Sequence, residues 1–177
     1  ITKSHFYAEL TAGSTTEMDI NKPSIALRKN IFTVITNLKS VTFTVTALDS
    51  VKDAISNNVY QYFEIEKVNI KNDDISSVNL EFEVNNSWFE NNNFDKESVI
   101  LNRFNAIEGW AALKTDIISE DVNSTVYEAQ SSGYSVFAIT AEVLKSKIVK
   151  AVEEGKTAFE EAKETIKIDE KTIIARA

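Results

Sequence analysis

The sequence predicts a mainly β protein, an antiparallel, immunoglobulin-like β-sandwich, and three observations carry that reading. Val78, Leu80, Phe82 and Val84 alternate with Asn79, Glu81 and Glu83. That is the period-two pattern of a strand with one face buried and one face wet. Val41, Phe43, Val45 and Ala47 alternate in the same way with Thr42, Thr44 and Thr46. Finally, strand-like runs recur at short intervals between polar turns, the spacing of a sandwich or barrel.

The elements follow in order. Phe6, Ala8 and Leu10 alternate with His5, Tyr7 and Glu9 in a short N-terminal strand, which Ala12-Gly13-Ser14 breaks. Residues 18–27 read as a second strand, with Pro23 marking an edge or a bend. Residues 31–36 and 41–47 come next. Residues 59–65 are rich in aromatic and β-branched side chains and read as a central strand. Asn72-Asp73-Asp74 is turn chemistry, and residues 78–84 are the strand after it. Ser87-Trp88-Phe89-Glu90 reads as a short helical turn with Ser87 as N-cap and Glu90 three residues on. Strands over 99–104, 110–113, 125–129 and 134–140 complete the series. Gly109 and Gly133 each precede a strand, where a positive φ is often required. The expected core is Val41, Phe43, Val45, Phe63, Ile65, Leu80, Phe82, Val84, Trp88, Leu101, Trp110, Phe137 and Ile139.

At Ala141 the period changes. Leu144, Ile148, Val152, Phe159 and Ala162 recur at helical spacing opposite a Lys- and Glu-rich face, an amphipathic helix of about six turns. Residues 165–168 and 172–175 then read as short strands. The expected organisation is therefore a β-sandwich over 1–140 and an appended segment over 141–177. That segment packs on the sandwich or on a neighbouring subunit.

Composition limits the function classes. The 177 residues suffice to bury a substantial core. A net charge of −8, with no basic stripe, argues against nucleic-acid binding. With no cysteine there are no disulfides or thiolate zinc sites, and thiols say nothing of redox compartment. No apolar run reaches the roughly 20 residues of a membrane-spanning helix. The first residue is Ile rather than Met, which reads as a mature or trimmed chain lacking its targeting segment.

Catalytic chemistry is weakly represented. His5 is the single histidine, so a Ser-His-Asp triad would have to use it, and it reads as an ordinary surface or packing residue. Several histidines or cysteines are needed for zinc. Glu64, Glu66, Glu81 and Glu83 read as solvated strand-face acids rather than a glycosidase pair. Asn72-Asp73-Asp74 and residues 91–95 offer oxygen ligands suited to calcium but lack calcium-loop spacing, so turn chemistry is the better account. Trp88 and Trp110 read as core anchors before ligand platforms. No cofactor and no metal is expected. Two N-glycosylation sequons, Asn85-Asn86-Ser87 and Asn123-Ser124-Thr125, fall in expected turns. Asn123 is the stronger candidate, because Ser87 is expected to be occupied in capping.

Several ordered blocks between residues 18 and 140 resemble the PGF-pre-PGF domain of archaeal cell-surface proteins. Val59-Tyr60-Gln61-Tyr62-Phe63-Glu64-Ile65 is similar to its "vYqYfeI" strand. Residues 78–84 with Ser87-Trp88, then 99–104 with Gly109-Trp110 and Leu113-Lys114-Thr115, are similar to its next two blocks. Tyr127-Glu128-Ala129 and residues 133–139 are similar to the last. The resemblance implies an extracellular archaeal β-sandwich without catalytic residues. Such domains often precede a Pro-Gly-Phe sorting signal and a membrane segment. Here the chain continues into a charged helix and ends Ile173-Ile174-Ala175-Arg176-Ala177. We therefore expect a chain that is held at the surface by other subunits or has been trimmed.

The resulting expectation is a non-enzymatic structural protein that self-assembles into an extracellular, pilus-like filament or a surface lattice. Its partners would be copies of itself, with other surface proteins as further candidates. The alternative is an adhesion or binding module of a larger surface protein. A much weaker third reading is a secreted hydrolase. The segments placed to exchange between subunits are the N-terminal strand, with Phe6, Ala8 and Leu10, and the C-terminal stretch, with Ile173 and Ile174. Each is β-prone and near a chain end.

Overall fold

The computed structural model describes residues 1–55 and 58–144. The chain divides into two units, Ile1–Glu142 and Val143–Ala177. Of the second only Val143 and Leu144 are described. The expected amphipathic helix beyond them, and Ile173 and Ile174, lie outside the described residues.

The first unit is a mainly β sandwich of two antiparallel sheets. Its strands are β1 (Thr2–Leu10), β2 (Thr15–Asp19), β3 (Leu27–Val34), β4 (Leu38–Leu48), β5 (Asn58–Val68), β6 (Ile75–Asn85), β7 (Ile100–Asn105), β8 (Gly109–Ala112), β9 (Thr115–Glu120), β10 (Ser124–Ser131) and β11 (Val136–Ala141). The six-stranded sheet runs β1-β4-β5-β11-β7-β8, and the five-stranded sheet β2-β3-β6-β10-β9. The one α-helix among the described residues, α1 (Asn86–Asn92), follows β6.

The alternations read from sequence hold where burial is one-sided. Val41, Phe43 and Val45 of β4 and Leu80, Phe82 and Val84 of β6 are wholly buried, as are Phe63, Leu101, Phe137 and Ile139, with Ile65 nearly so. Aromatic pairs tie the layers together. Phe32 of β3 meets Phe43 of β4 across the sandwich at 4.8 Å between ring centroids. Within the sheets, Phe63 stacks on Phe137 at 5.2 Å and Phe82 on Tyr127 at 5.4 Å. Each such ring contributes roughly 1.5–3 kcal/mol through burial.

Four expectations need correction. Trp110 is not a core residue. It lies half-buried on the face of the six-stranded sheet away from the core, against Phe104 and Tyr62, and its indole Nε1 donates to the Asp53 carbonyl at 2.7 Å. Trp88 is also only half-buried, packed against the core's rim, while its neighbour Phe89 takes the buried position. The run 18–27 is not one strand. β2 ends at Asp19, Asn21 turns the chain with φ 45°, and β3 begins at Leu27. Ile20, Ile25 and Ala26 are buried, so the apolar residues that suggested a strand are packing a loop. Finally, Ser87 does not cap the helix. Asn85 occupies the N-cap position, with no side-chain capping bond, and Ser87 lies inside α1.

The two glycines differ in purpose. Gly109 has φ 81°, as expected before β8. Gly133 is needed for space: a Cβ there would sit 2.6 Å from the Asn72 side chain. Strand β9 was missed by the sequence reading.

Candidate functional site

Two regions bring the sequence-predicted residues together. The first is the N-terminal edge. Among the described residues β1 pairs only with β4, from Thr2↔Thr46 to Leu10↔Leu38, and forms one edge of the six-stranded sheet. Thr2 and Ser4 share hydroxyl hydrogen bonds with Thr46 and Thr44, at 3.2 and 3.0 Å. Phe6 and Ala8 do not point at the core. Phe6 is 60% exposed, Ala8 is exposed, and Leu10 alone of the three is buried. The strand's aromatic anchor is instead Tyr7, which meets Phe32 at 5.9 Å and Phe43 at 6.3 Å, both edge-on. Burial pushes the Tyr7 phenol up to about 12, with Asp19 adding to the shift. Sequence reasoning missed Tyr7 because apolar residues occupy both parities of this strand. His5 rests on Tyr7 at 4.6 Å between centroids and is exposed.

The second region is a corner of the five-stranded sheet. Asn85 ends β6, and its register partner on β10 is Ser124, next to Asn123 in the β9–β10 turn. The two sequons, separate in sequence, therefore converge. Asn123 is exposed, with its backbone fixed on both sides: its N–H donates to Asp121 Oδ1 at 2.7 Å and its carbonyl accepts from the Asn86 N–H at 2.8 Å. Ser124 and Thr125 are buried, and the Thr125 hydroxyl donates to Asn86 Oδ1 at 2.9 Å. Asn85 and Ser87 are both exposed, and the Ser87 hydroxyl has no hydrogen-bond partner among the described residues.

Beside Asn85 opens a cleft of about 420 Å³. One wall is the 21–28 segment, held in place by Gln61. Its Oε1 accepts from the Ala26 N–H at 2.6 Å, and its Nε2 donates to the Ser24 carbonyl at 3.1 Å. The Glu83 N–H donates to the Ala26 carbonyl at 2.9 Å and stitches the same wall to β6. The other wall carries Tyr60, Glu83 and Asn85. Arg28 and Glu83 form an ion pair at 3.1 Å. Burial raises the Tyr60 phenol above its ordinary value, while hydrogen bonds with Asn85 pull it down. The cleft thus combines an aromatic ring, an ion pair and amides within a volume typical of small-molecule sites, roughly 300–1,000 Å³.

No family model and no curated protein matches this chain.

The remaining candidates are absorbed by the fold. Asp74 Oδ2 accepts the Lys71 N–H at 2.8 Å, and Asn72 Oδ1 accepts the Tyr134 N–H at 3.3 Å. In the second acidic turn, Asp95 Oδ1 accepts the Glu97 N–H at 3.0 Å, and Asn93 closes α1 in the left-handed conformation. Among the described residues no cluster of His, Asp and Glu is arranged to hold a metal ion. No described helix is long and apolar enough to cross a membrane.

Proposed function

We propose that this chain is a non-enzymatic structural protein of an archaeal cell surface. It would be a self-assembling subunit of an extracellular filament or lattice, with strand exchange between subunits. The resemblance to PGF-pre-PGF domains supplies the location and the cell type. The immunoglobulin-like assignment is part of this proposal. The eleven strands exceed the seven to nine of an immunoglobulin domain, so it rests on the two-layer arrangement and on the chain's repeated crossing between sheets.

The observation that carries the assembly reading is β1. It lies on a sheet edge and, among the described residues, pairs with β4 alone. Breaking that one ladder is enough to release it from the sheet. Tyr7 and Leu10 give it side chains that fill the core. The same β4 edge can accept the β1 of a neighbouring copy in the same register. Exchange of an identical element is a low-cost route to association, and a head-to-tail exchange that does not close makes a fibre. The adhesion-module alternative has its own observation, the polar cleft beside Asn85.

Electron microscopy of the concentrated protein tests the proposal. Filaments or sheets are expected from the intact chain. Removal of residues 1–10 should abolish them, and a peptide of those residues should bind the truncated protein. A protein that stays monomeric at high concentration, or a truncated one that still polymerises, overturns the strand-exchange reading.

A further inference from the structure

We propose that Asn85, rather than Asn123, is the principal N-glycan acceptor, and that the first sugars of its glycan seat in the cleft between residues 21–28 and Tyr60. This rests on the reading of the chain as a surface protein. Modification joins the anomeric carbon of a lipid-phosphate-linked oligosaccharide to Asn85 Nδ2. The anomeric C–O bond breaks, the lipid phosphate leaves, and the amide nitrogen gives up one proton.

The two sequons differ in what a transferase can reach. The sequon is defined by the acceptor Asn and the Ser or Thr at position +2, so the exposure of both side chains separates the two sites. In the Asn123 sequon that hydroxyl belongs to Thr125, which is wholly buried and donates to Asn86. Its acceptor backbone is held on both sides by Asp121 and Asn86. In the Asn85 sequon the hydroxyl belongs to Ser87, exposed and without a partner among the described residues. Asn85 itself is exposed and extended, at φ −66° and ψ 132°. Its backbone is held too, by the Tyr60 hydroxyl at 3.4 Å and by pairing with Ser124, so the two sites differ in the exposure of the +2 hydroxyl.

The cleft gives the attached sugar a place to lie. Asn85 is part of its lining, so a saccharide on Nδ2 starts at the cleft mouth. Tyr60 supplies a ring for the apolar face of a pyranose, and the Arg28–Glu83 pair supplies donors and acceptors for its hydroxyls. Pro23 and Ser24 form the opposite wall.

The test uses full-length protein purified from its own cells, mapped by glycopeptide mass spectrometry. A glycan at Asn85 is expected, lost in both N85Q and S87A and retained in N123Q. Both residues are exposed, so neither substitution threatens the fold. Hydrogen exchange of amides 22–28 should be at least about threefold slower in the glycosylated protein than in N85Q, because a seated sugar suppresses local opening. A glycan confined to Asn123, an unmodified Asn85, or unchanged exchange at 22–28 each overturns the inference. Surface labelling of intact cells separates the two failures. A labelled but unmodified chain rejects the glycan alone, whereas a chain shielded inside the cell rejects the surface reading and the inference with it.

Discussion

Asn30 is wholly buried between the sheets, where its Oδ1 accepts from the Tyr134 hydroxyl at 2.9 Å while its Nδ2 has no partner among the described residues. Tyr134→Phe would strip that one bond and leave the whole side-chain amide unsatisfied, a loss of about 1–3 kcal/mol. Asn30→Leu in the same chain should recover most of it, since removing both polar partners avoids the desolvation penalty; urea titration of the three proteins checks this. Burial also raises the phenols of Tyr127 and Tyr134, and that of Tyr7 to about 12. The sign of the pH effect follows. Below about pH 10 the phenols are neutral in folded and unfolded chains alike, and their contribution is complete. As the pH climbs past 10 the unfolded chain releases protons first, so stability falls, and the Tyr7 share is gone once the pH passes 12. Unfolding midpoints from pH 9 to 11.5 should decline, and less steeply for Tyr134→Phe. A third residue-scale case is Gly133. An added methyl meets Asn72, whose Oδ1 already holds the Tyr134 N–H. Gly133→Ala should therefore cost about 1–3 kcal/mol. With Asn72→Ala as well, the combined loss should be less than additive.

At the scale of the element, what the sequence disclosed depended on how one-sidedly each strand is buried. β4 and β6 alternate because one face meets the core and the other meets water, and both were legible. In β6 the core side is filled by Phe82, so Phe82→Ala should remove about 3–5 kcal/mol, measurable by the same titrations. β9 was not legible because every residue after Thr115 is exposed. With no buried face, selection imposes no period of two, and adjacent Ile117 and Ile118 say nothing of a strand. In β1 the alternation was visible but did not fix the inward face, since Phe6 is as apolar as Tyr7, and the structure brings both Tyr7 and Leu10, of opposite parity, against the core. The 20–26 loop misled in the opposite way, as buried side chains without a ladder look like a strand. Of the candidate site, the sequons were legible as triplets. Their convergence, and the burial of Thr125 against the exposure of Ser87, arise from the β6–β10 register, which no local pattern encodes. Ser87 was read as a cap, and the helix begins two residues earlier than that reading requires.

At the scale of the molecule, four strands lie on sheet edges: β1 and β8 in one sheet, β2 and β9 in the other. Each edge is a template for another chain, and β1 carries Tyr7 and Leu10 against the core. The absence of cysteine makes its destination readable. The Ser4 and Thr44 hydroxyls face each other across β1 and β4 at 3.0 Å, and directly opposed antiparallel residues hold their Cα atoms about 4.5–5.5 Å apart. That spacing falls within disulfide reach. A chain carrying Ser4→Cys and Thr44→Cys, assembled first and then oxidised, should therefore record which β4 each β1 occupies. If the strand exchanges, each disulfide joins two copies, and denaturing gels without reductant should show a ladder that collapses on reduction. If β1 stays in its own subunit, every disulfide closes within one chain and the gel shows a single monomer band. Oxidation before assembly is the complementary arm. With β1 locked onto its own β4 the acceptor edge is closed, and the protein should remain monomeric until reductant is added. Filaments that form from the locked monomer would reject exchange of this strand and place the growing contact on another edge.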